Sequence, residues 1–174
     1  MTKSFMPNFT RVEQLHEHQL KGLQWTVEHA CNGSPFYRAK LEAAGVTSRD
    51  IKSLDDIRKL PFTTAEDLRA EYPFPLLSVP ASEVVRIHAS SGTTGKRKIL
   101  CYTQKDIDDW THFFARCYEM AEITAEGRVQ IAVGYGIWTA GIGFQLGCEK
   151  FGAMALPVGP GYVDMQCQFL VDLG

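Results

Sequence analysis

The densest set of reactive side chains is Ser90-Ser91-Gly92-Thr93-Thr94-Gly95-Lys96. These seven residues carry four hydroxyls, two glycines and one ammonium. Glycine lets the backbone approach a ligand closely and present its amide donors. Hydroxyls add donors that rotate to suit, and the lysine adds a point charge. Together these groups match a polyphosphate. The spacing is not that of a Walker A loop. That motif needs four residues between its last two glycines and a Lys-Ser/Thr pair opening a helix. Here two residues separate Gly92 from Gly95, and Arg97-Lys98-Ile99-Leu100 leads into a strand-like run. By residue type alone the loop is either a phosphate cradle or a polar connection between strands.

Other chemistry is sparse. The five cysteines, Cys31, Cys101, Cys117, Cys148 and Cys167, include no C-x-x-C pair. No zinc or thioredoxin-like site is expected, no metal ligand set stands out, and reduced thiols point to a cytoplasmic protein. Met1 to Phe9 lacks the basic and apolar regions of a signal peptide. The net charge of −2 gives no reason to expect nucleic acid or an anionic membrane as partner.

The elements that would position the loop follow from periodicity. Thr10-Arg-Val-Glu13 resembles a capping box, Val12, Leu15, Leu20, Leu23, Val27 and Ala30 recur at helical spacing, and Asn32-Gly33 ends the helix. Ser34-Pro35 opens a second helix and Gly45 closes it. Ser53-Leu-Asp-Asp56 starts a short third helix that must end before Pro61, and Thr64 starts a fourth, to about Tyr72. Val84 to Ala89 and Ile99 to Tyr102 are strand-like and flank the loop. Thr103 caps a helix whose apolar stripe includes Trp110, Phe114 and Cys117. A strand then alternates through Val129, Ile131, Val133 and Tyr135. A small-residue helix covers 139–151, a strand Ala153 to Val158, a turn Gly159-Pro160-Gly161, and a helix Met165 to Leu173.

The chain of 174 residues could make one soluble domain. Its composition is uneven: residues 127–174 hold only five of the 38 charged residues but ten of the 15 glycines. The predicted class is α/β. A helical segment over 1–80 is followed by alternating strands and helices of a mainly parallel sheet over 81–174. Val129 to Cys148 is uncharged and contains Gly143-x-x-x-Gly147, which raises a membrane helix. Its five glycines and its alternating start favour a buried strand, a glycine turn and a closely packed helix.

The string Ser90–Lys96 resembles the phosphate loop of the adenylate-forming enzymes. Its surroundings resemble the phenylacetate–CoA ligase branch of that superfamily. Those surroundings are Arg86-Ile-His-Ala before the loop, Tyr102-Thr103 and Asp106-Ile-Asp-Asp-Trp110 after it, and Leu54-Asp-Asp-Ile-Arg-Lys-Leu-Pro-Phe-Thr-Thr64 with Asp67-Leu-Arg69 and Tyr72-Pro-Phe74 upstream. Gly134-Tyr-Gly136, Gly147-x-Glu149, Phe151-Gly-Ala153 and Pro157-Val158 extend the likeness, which runs from about residue 9 to the end.

The resemblance implies an ATP-dependent ligase of aryl carboxylic acids that forms an acyl-adenylate and then a CoA thioester, in aromatic acid catabolism. It implies that Ser90, Ser91, Gly92, Thr93, Thr94, Gly95 and Lys96 hold the ATP phosphates. It also implies that Tyr135, Gly136 and Trp138 lie near the acid. ATP, Mg²⁺ and coenzyme A are the implied cofactors, only the phosphate contacts falling in this chain. A homodimer is a candidate assembly. His88 precedes the loop, but the implied reaction needs no base there, and a buried, satisfied histidine is expected. Two positions depart from the pattern: Arg97 stands where the family has proline, and Tyr162 where a small polar residue is expected.

The resemblance further implies later motifs, for adenine, ribose and the catalytic lysine, that these residues do not contain. The expectation is therefore an N-terminal piece of a ligase, an incomplete adenylate-forming large domain in which no catalytic residue is assigned. The isolated chain is expected to be inactive as a ligase. The alternative is a non-catalytic nucleotide- or anion-binding, or self-associating, module.

Overall fold

The computed structural model describes residues 4–70, 72–74, 76–92 and 95–174. The chain divides into two compact units that interleave in sequence. The first comprises residues 4–7, Arg86–Ser91 and Tyr102–Gly174. The second comprises Asn8–Val85 and Gly92–Cys101.

The second unit is built on helices with local stop and start signals. α1 spans Val12–Gly33. It begins one residue later than the Thr10 pattern suggests, because Gln14 reaches back instead. The Gln14 Oε1 accepts from Thr10 N at 3.0 Å and Arg11 N at 3.3 Å, leaving Glu13 out of the cap. α2 spans Pro35–Ala44, with Ser34 Oγ accepting from Tyr37 N and Gly45 ending it at φ 65°. The third expected helix is a 3₁₀ turn over Leu54–Lys59. Asp56 Oδ2 accepts from the amides of Lys52 and Ser53 at 2.8 Å each, and Pro61 leaves no room for further turns. α3 is only Asp67–Ala70. Asp67 caps it by accepting from Thr64 N, and it also pairs with Lys40 of α2. Val27, Leu41 and Ile51 are buried together at the centre, with Leu20, Leu23, Cys31, Val46 and Leu60 against them.

In the first unit, β3 (Arg128–Gln130) and β4 (Met154–Leu156) pair in parallel, Val129 opposite Ala155. α5 (Ala140–Phe151) connects them, as a parallel pair requires. α4 (Gln104–Met120) is capped by Thr103, whose Oγ1 accepts from Asp106 N. It packs on α5 through glycine. A Cβ at Gly143 would meet Phe114 Cζ at 2.6 Å and Trp110 Cζ2 at 2.7 Å. The small-residue spacing therefore serves the packing of one helix on another. Among the described residues no helix is long and apolar enough to cross a membrane. Tyr118, Cys148 and Ala153 are buried there, with the half-buried Val129 and Phe151 packed against them. α6 spans Val163–Asp172.

β3 is shorter than the alternation through Tyr135 suggests. Ile131 still donates to Leu156 O at 2.9 Å and accepts from Gly159 N at 3.0 Å. Beyond it the chain leaves the ladder and turns through Gly134 and Gly136 into α5. β1 (Val84–Ala89) and β2 (Ile99–Thr103) form the other two-stranded sheet. A contact that sequence reading missed holds the N-terminus to α4. Phe5 N donates to Glu119 Oε2 at 2.6 Å, Ser4 Oγ donates to Oε1 at 2.7 Å, and the Phe5 ring is buried beside His112 and Phe151. The Ser4 hydroxyl and Phe5 amide hold the Glu119 carboxyl below the usual carboxylate range.

Candidate functional site

The loop residues divide between the units. Ser90 and Ser91 follow β1 in the first, while Gly92, Gly95 and Lys96 belong to the second. Thr93 and Thr94 lie outside the described residues.

In the second unit, Gly92 has φ 75° and Gly95 φ 128°, conformations that side chains disfavour. The Gly95 amide donates to Gly92 O at 3.3 Å. Basic groups gather around these glycines. The Arg97 stem lies against Gly92, where a Cβ would meet its Cγ at 2.8 Å. Arg69 Nε is 3.8 Å from a Cβ placed at Gly95. The Lys96 ammonium stands 5.2 Å from the centre of the Tyr72 ring, held by a cation–π contact, and its side chain is exposed. Two glycines at positive φ beside the exposed ammonium of Lys96 and guanidinium of Arg97 suit an oxyanion.

In the first unit, the strand leading to Ser90 is tied to the loop that precedes α5. Ala89 N donates to Ile137 O at 3.1 Å, and His88 Nδ1 lies 3.0 Å from the same carbonyl. That tie brings Ser90 and Ser91 into one substructure with Tyr135, Gly136 and Trp138. The three pocket candidates differ in setting. Trp138 is 59% exposed and Gly136 is exposed. Tyr135 is half-buried, and its hydroxyl is buried without a hydrogen-bond partner among the described residues. Burial, then the Glu149 charge, raises the Tyr135 phenol. Its ring lies beside α5, 2.9 Å from a Cβ placed at Gly141. Close by, an apolar cavity of about 260 Å³ is lined by Tyr118, Val129, Ile131, Val133 and Phe144. Tyr118 donates its hydroxyl to Phe144 O at 3.0 Å, and burial pushes that phenol up to about 12.

No family model matches the chain. Curated relatives do. It is 44% identical over 161 residues to the phenylacetate–coenzyme A ligase of Escherichia coli K12, covering 92% of this chain and 37% of the relative. It is 44% identical to that of Aromatoleum evansii over 92% of this chain and 36% of the relative, and 38% identical to that of Thermus thermophilus over 93% and 36%. Among solved structures it is similar to 2-hydroxyisobutyryl-CoA ligase in complex with 2-HIB-AMP in the postadenylation state. There the TM-score is 0.82 at 27% identity, covering 93% of this chain and 35% of that one. The same ligase with 2-HIB-AMP and CoA in the thioesterification state gives 0.81 at 29% identity, over 97% and 36%. Over 92–93% of its residues the chain is similar to phenylacetate–CoA ligases, and it has the fold of part of an adenylate-forming CoA ligase. It spans a little over a third of the length of the curated relatives it matches.

Two departures from the adenylate-forming pattern have a visible setting. Arg97 replaces a rigid residue with a stem packed over Gly92. Tyr162 has φ 50° and is 76% exposed, just before α6. A small polar residue would adopt that backbone with less strain. The turn before it is held by Gln166, whose Nε2 donates to Gly159 O at 3.1 Å and also to Gly161 O.

Sequence reading missed three neighbours of the site: the Ile137 carbonyl, Arg69 beside Gly95, and Arg86, whose guanidinium lies 5.7 Å from the Trp110 ring centre. Alternation along β1 puts Arg86 and His88 on one face, which was the one available signal. Among the described residues no group of three or more His, Cys, Asp or Glu side chains could hold a metal ion.

Proposed function

We propose that a protein of the relatives' full length containing this chain is a cytoplasmic, ATP-dependent aryl-acid–CoA ligase, with phenylacetate as its acid. The observation that carries this reading is the 38–44% identity to phenylacetate–CoA ligases over 92–93% of the chain. In the reaction, a carboxylate oxygen attacks the α-phosphorus of ATP and the bond to pyrophosphate breaks. The CoA sulfur then attacks the acyl carbon of the adenylate, losing its proton, and AMP leaves.

The role of this chain is at the departing phosphates. Ser90, Ser91, Gly92, Thr93, Thr94, Gly95 and Lys96 would bind the β- and γ-phosphates. Lys96, with Arg97 and Arg69 nearby, would offset the charge that grows on pyrophosphate. The positive φ of Gly92 and Gly95 supports this, because it turns the backbone tightly enough to face a ligand. Tyr135, Gly136 and Trp138 would border the acid. Mg²⁺ would arrive with ATP, and no step is routed through it. In-line attack needs the acid-side and phosphate-side loops in fixed register.

The test is acid-dependent pyrophosphate release by a full-length protein, with thioester formation once CoA is added. Phenylacetate should support both. Absence of acid-dependent release would overturn the reading. The 174-residue chain alone should bind pyrophosphate without turnover.

A second reading, a self-associating anion-binding module, is favoured by one observation. Val163, Leu170 and Val171 of α6 are exposed, Val171 at 82%. Sedimentation at several concentrations would report a homodimer.

A further inference from the structure

We infer that His88 is a positioning residue, a ring donor that fixes the acid-side loop over 134–139 to the strand that delivers the phosphate loop. The inference rests on the ligase reading for its consequence in catalysis, but not for its geometry.

His88 is only 4% exposed. Its Nδ1 lies 3.0 Å from the Ile137 carbonyl oxygen. A carbonyl can only accept, so the ring carries its hydrogen on Nδ1 and donates it. The adjacent amide, Ala89 N, donates to the same oxygen at 3.1 Å. One carbonyl therefore uses both lone pairs on two successive residues of β1. That carbonyl sits between Gly136 and Trp138, and the two donors sit immediately before Ser90. The clamp thus closes a span of 49 residues between the segments proposed to hold the two reacting partners.

Packing alone does not account for a histidine here. The ring is wedged edge-on to Tyr102, with centroids 5.3 Å apart, and tilted against Trp110 at 5.8 Å. Its Nε2 is buried and makes no hydrogen bond among the described residues. Burying an unpaired polar nitrogen costs free energy that an aromatic hydrocarbon of similar size would not incur. What the imidazole supplies in return is the Nδ1 donor. Of titratable groups, the Tyr102 ring meets it edge-on, and Arg86 lies 5.7 Å from the centre of the same Trp110 ring that it touches.

Two substitutions separate donor from filler. His88→Phe keeps an aromatic body and removes the donor. His88→Asn removes most of the body but places an amide N–H near the Nδ1 position. On the 174-residue chain, amide hydrogen exchange is read over 134–139. His88→Phe should exchange there at least about tenfold faster than wild type, and His88→Asn within about threefold. In a full-length ligase, His88→Phe should lower kcat about tenfold with the KM for ATP changed less than about twofold, and His88→Asn should recover most of the loss. Wild-type exchange in His88→Phe would overturn the inference. So would His88→Asn exchanging as fast as His88→Phe. Failure of the wild-type chain to bind pyrophosphate would instead count against the phosphate-loop reading, and the exchange comparison would still decide for or against the clamp.

Discussion

Gly147 of α5 meets Phe114 of α4 so closely that a Cβ on the glycine would lie 2.3 Å from Phe114 Cβ and 2.9 Å from its carbonyl carbon. The second of these is backbone and cannot swing aside. Gly147→Ala should therefore push the two helices apart and cost about 2–3 kcal/mol. Denaturant unfolding of the purified chain measures it. A change below about 0.5 kcal/mol would show that the helices can separate at little cost.

The phosphate reading makes Lys96 a binding residue with little structural work. Its side chain is exposed and rests on the Tyr72 ring. Lys96→Ala should weaken pyrophosphate binding about tenfold or more while leaving the thermal midpoint within about two degrees. Titration calorimetry and a melting curve on the same sample check both halves. Unchanged affinity would remove Lys96 from the site.

Tyr118 carries an alkaline signature. Burial raises its phenol to about 12, above the usual ~10, so the folded chain holds this proton more tightly than the unfolded chain. Its contribution is complete below about pH 10 and is lost as pH rises toward 12. Tyr118→Phe should cost about 1 kcal/mol at neutral pH, through loss of the bond to Phe144 O. It should also flatten the fall in stability above pH ~10. Unfolding measured from pH 7 to 11 tests this, and parallel pH curves for the two proteins would contradict it.

Glu122 occupies a glycine position. It follows α4 with φ 57°, and Ile123 N donates back to Tyr118 O at 3.1 Å, the closing bond of a Schellman turn. The side chain is exposed. Glu122→Gly should stabilise the first unit by about 0.5–1 kcal/mol. A higher thermal midpoint at unchanged denaturant slope is the expected result, and a lower midpoint would mean the glutamate makes a favourable contact.

Local features were legible in the sequence because local physics sets them. Ser34 and Gly45 bracket α2, and Thr103 caps α4, since a cap is a bond over three residues. The glycines at 92 and 95 were legible as places where the backbone can take conformations that side chains disfavour, and both have positive φ. The Gly143–Gly147 spacing announced a close helix contact, although not its partner, Phe114. Small errors came from local rivalry, as where Gln14 and not Glu13 reached back to cap α1.

What only the tertiary structure decided lies in bonds between distant residues. Phe5 and Ser4 reach Glu119 across more than a hundred residues, and His88 reaches Ile137 across 49. Arg69 comes near Gly95 from α3, and β3 stops short where its ladder with β4 runs out. No period or cap in the chain encodes such meetings. They depend on how buried faces pack together, and the cost of closing a long loop is met only when the whole core forms. The residue types of Ser90–Lys96 left a phosphate cradle and a polar connection both open until the resemblance favoured the first, while the contact of the histidine beside it with Ile137 exists only in the fold.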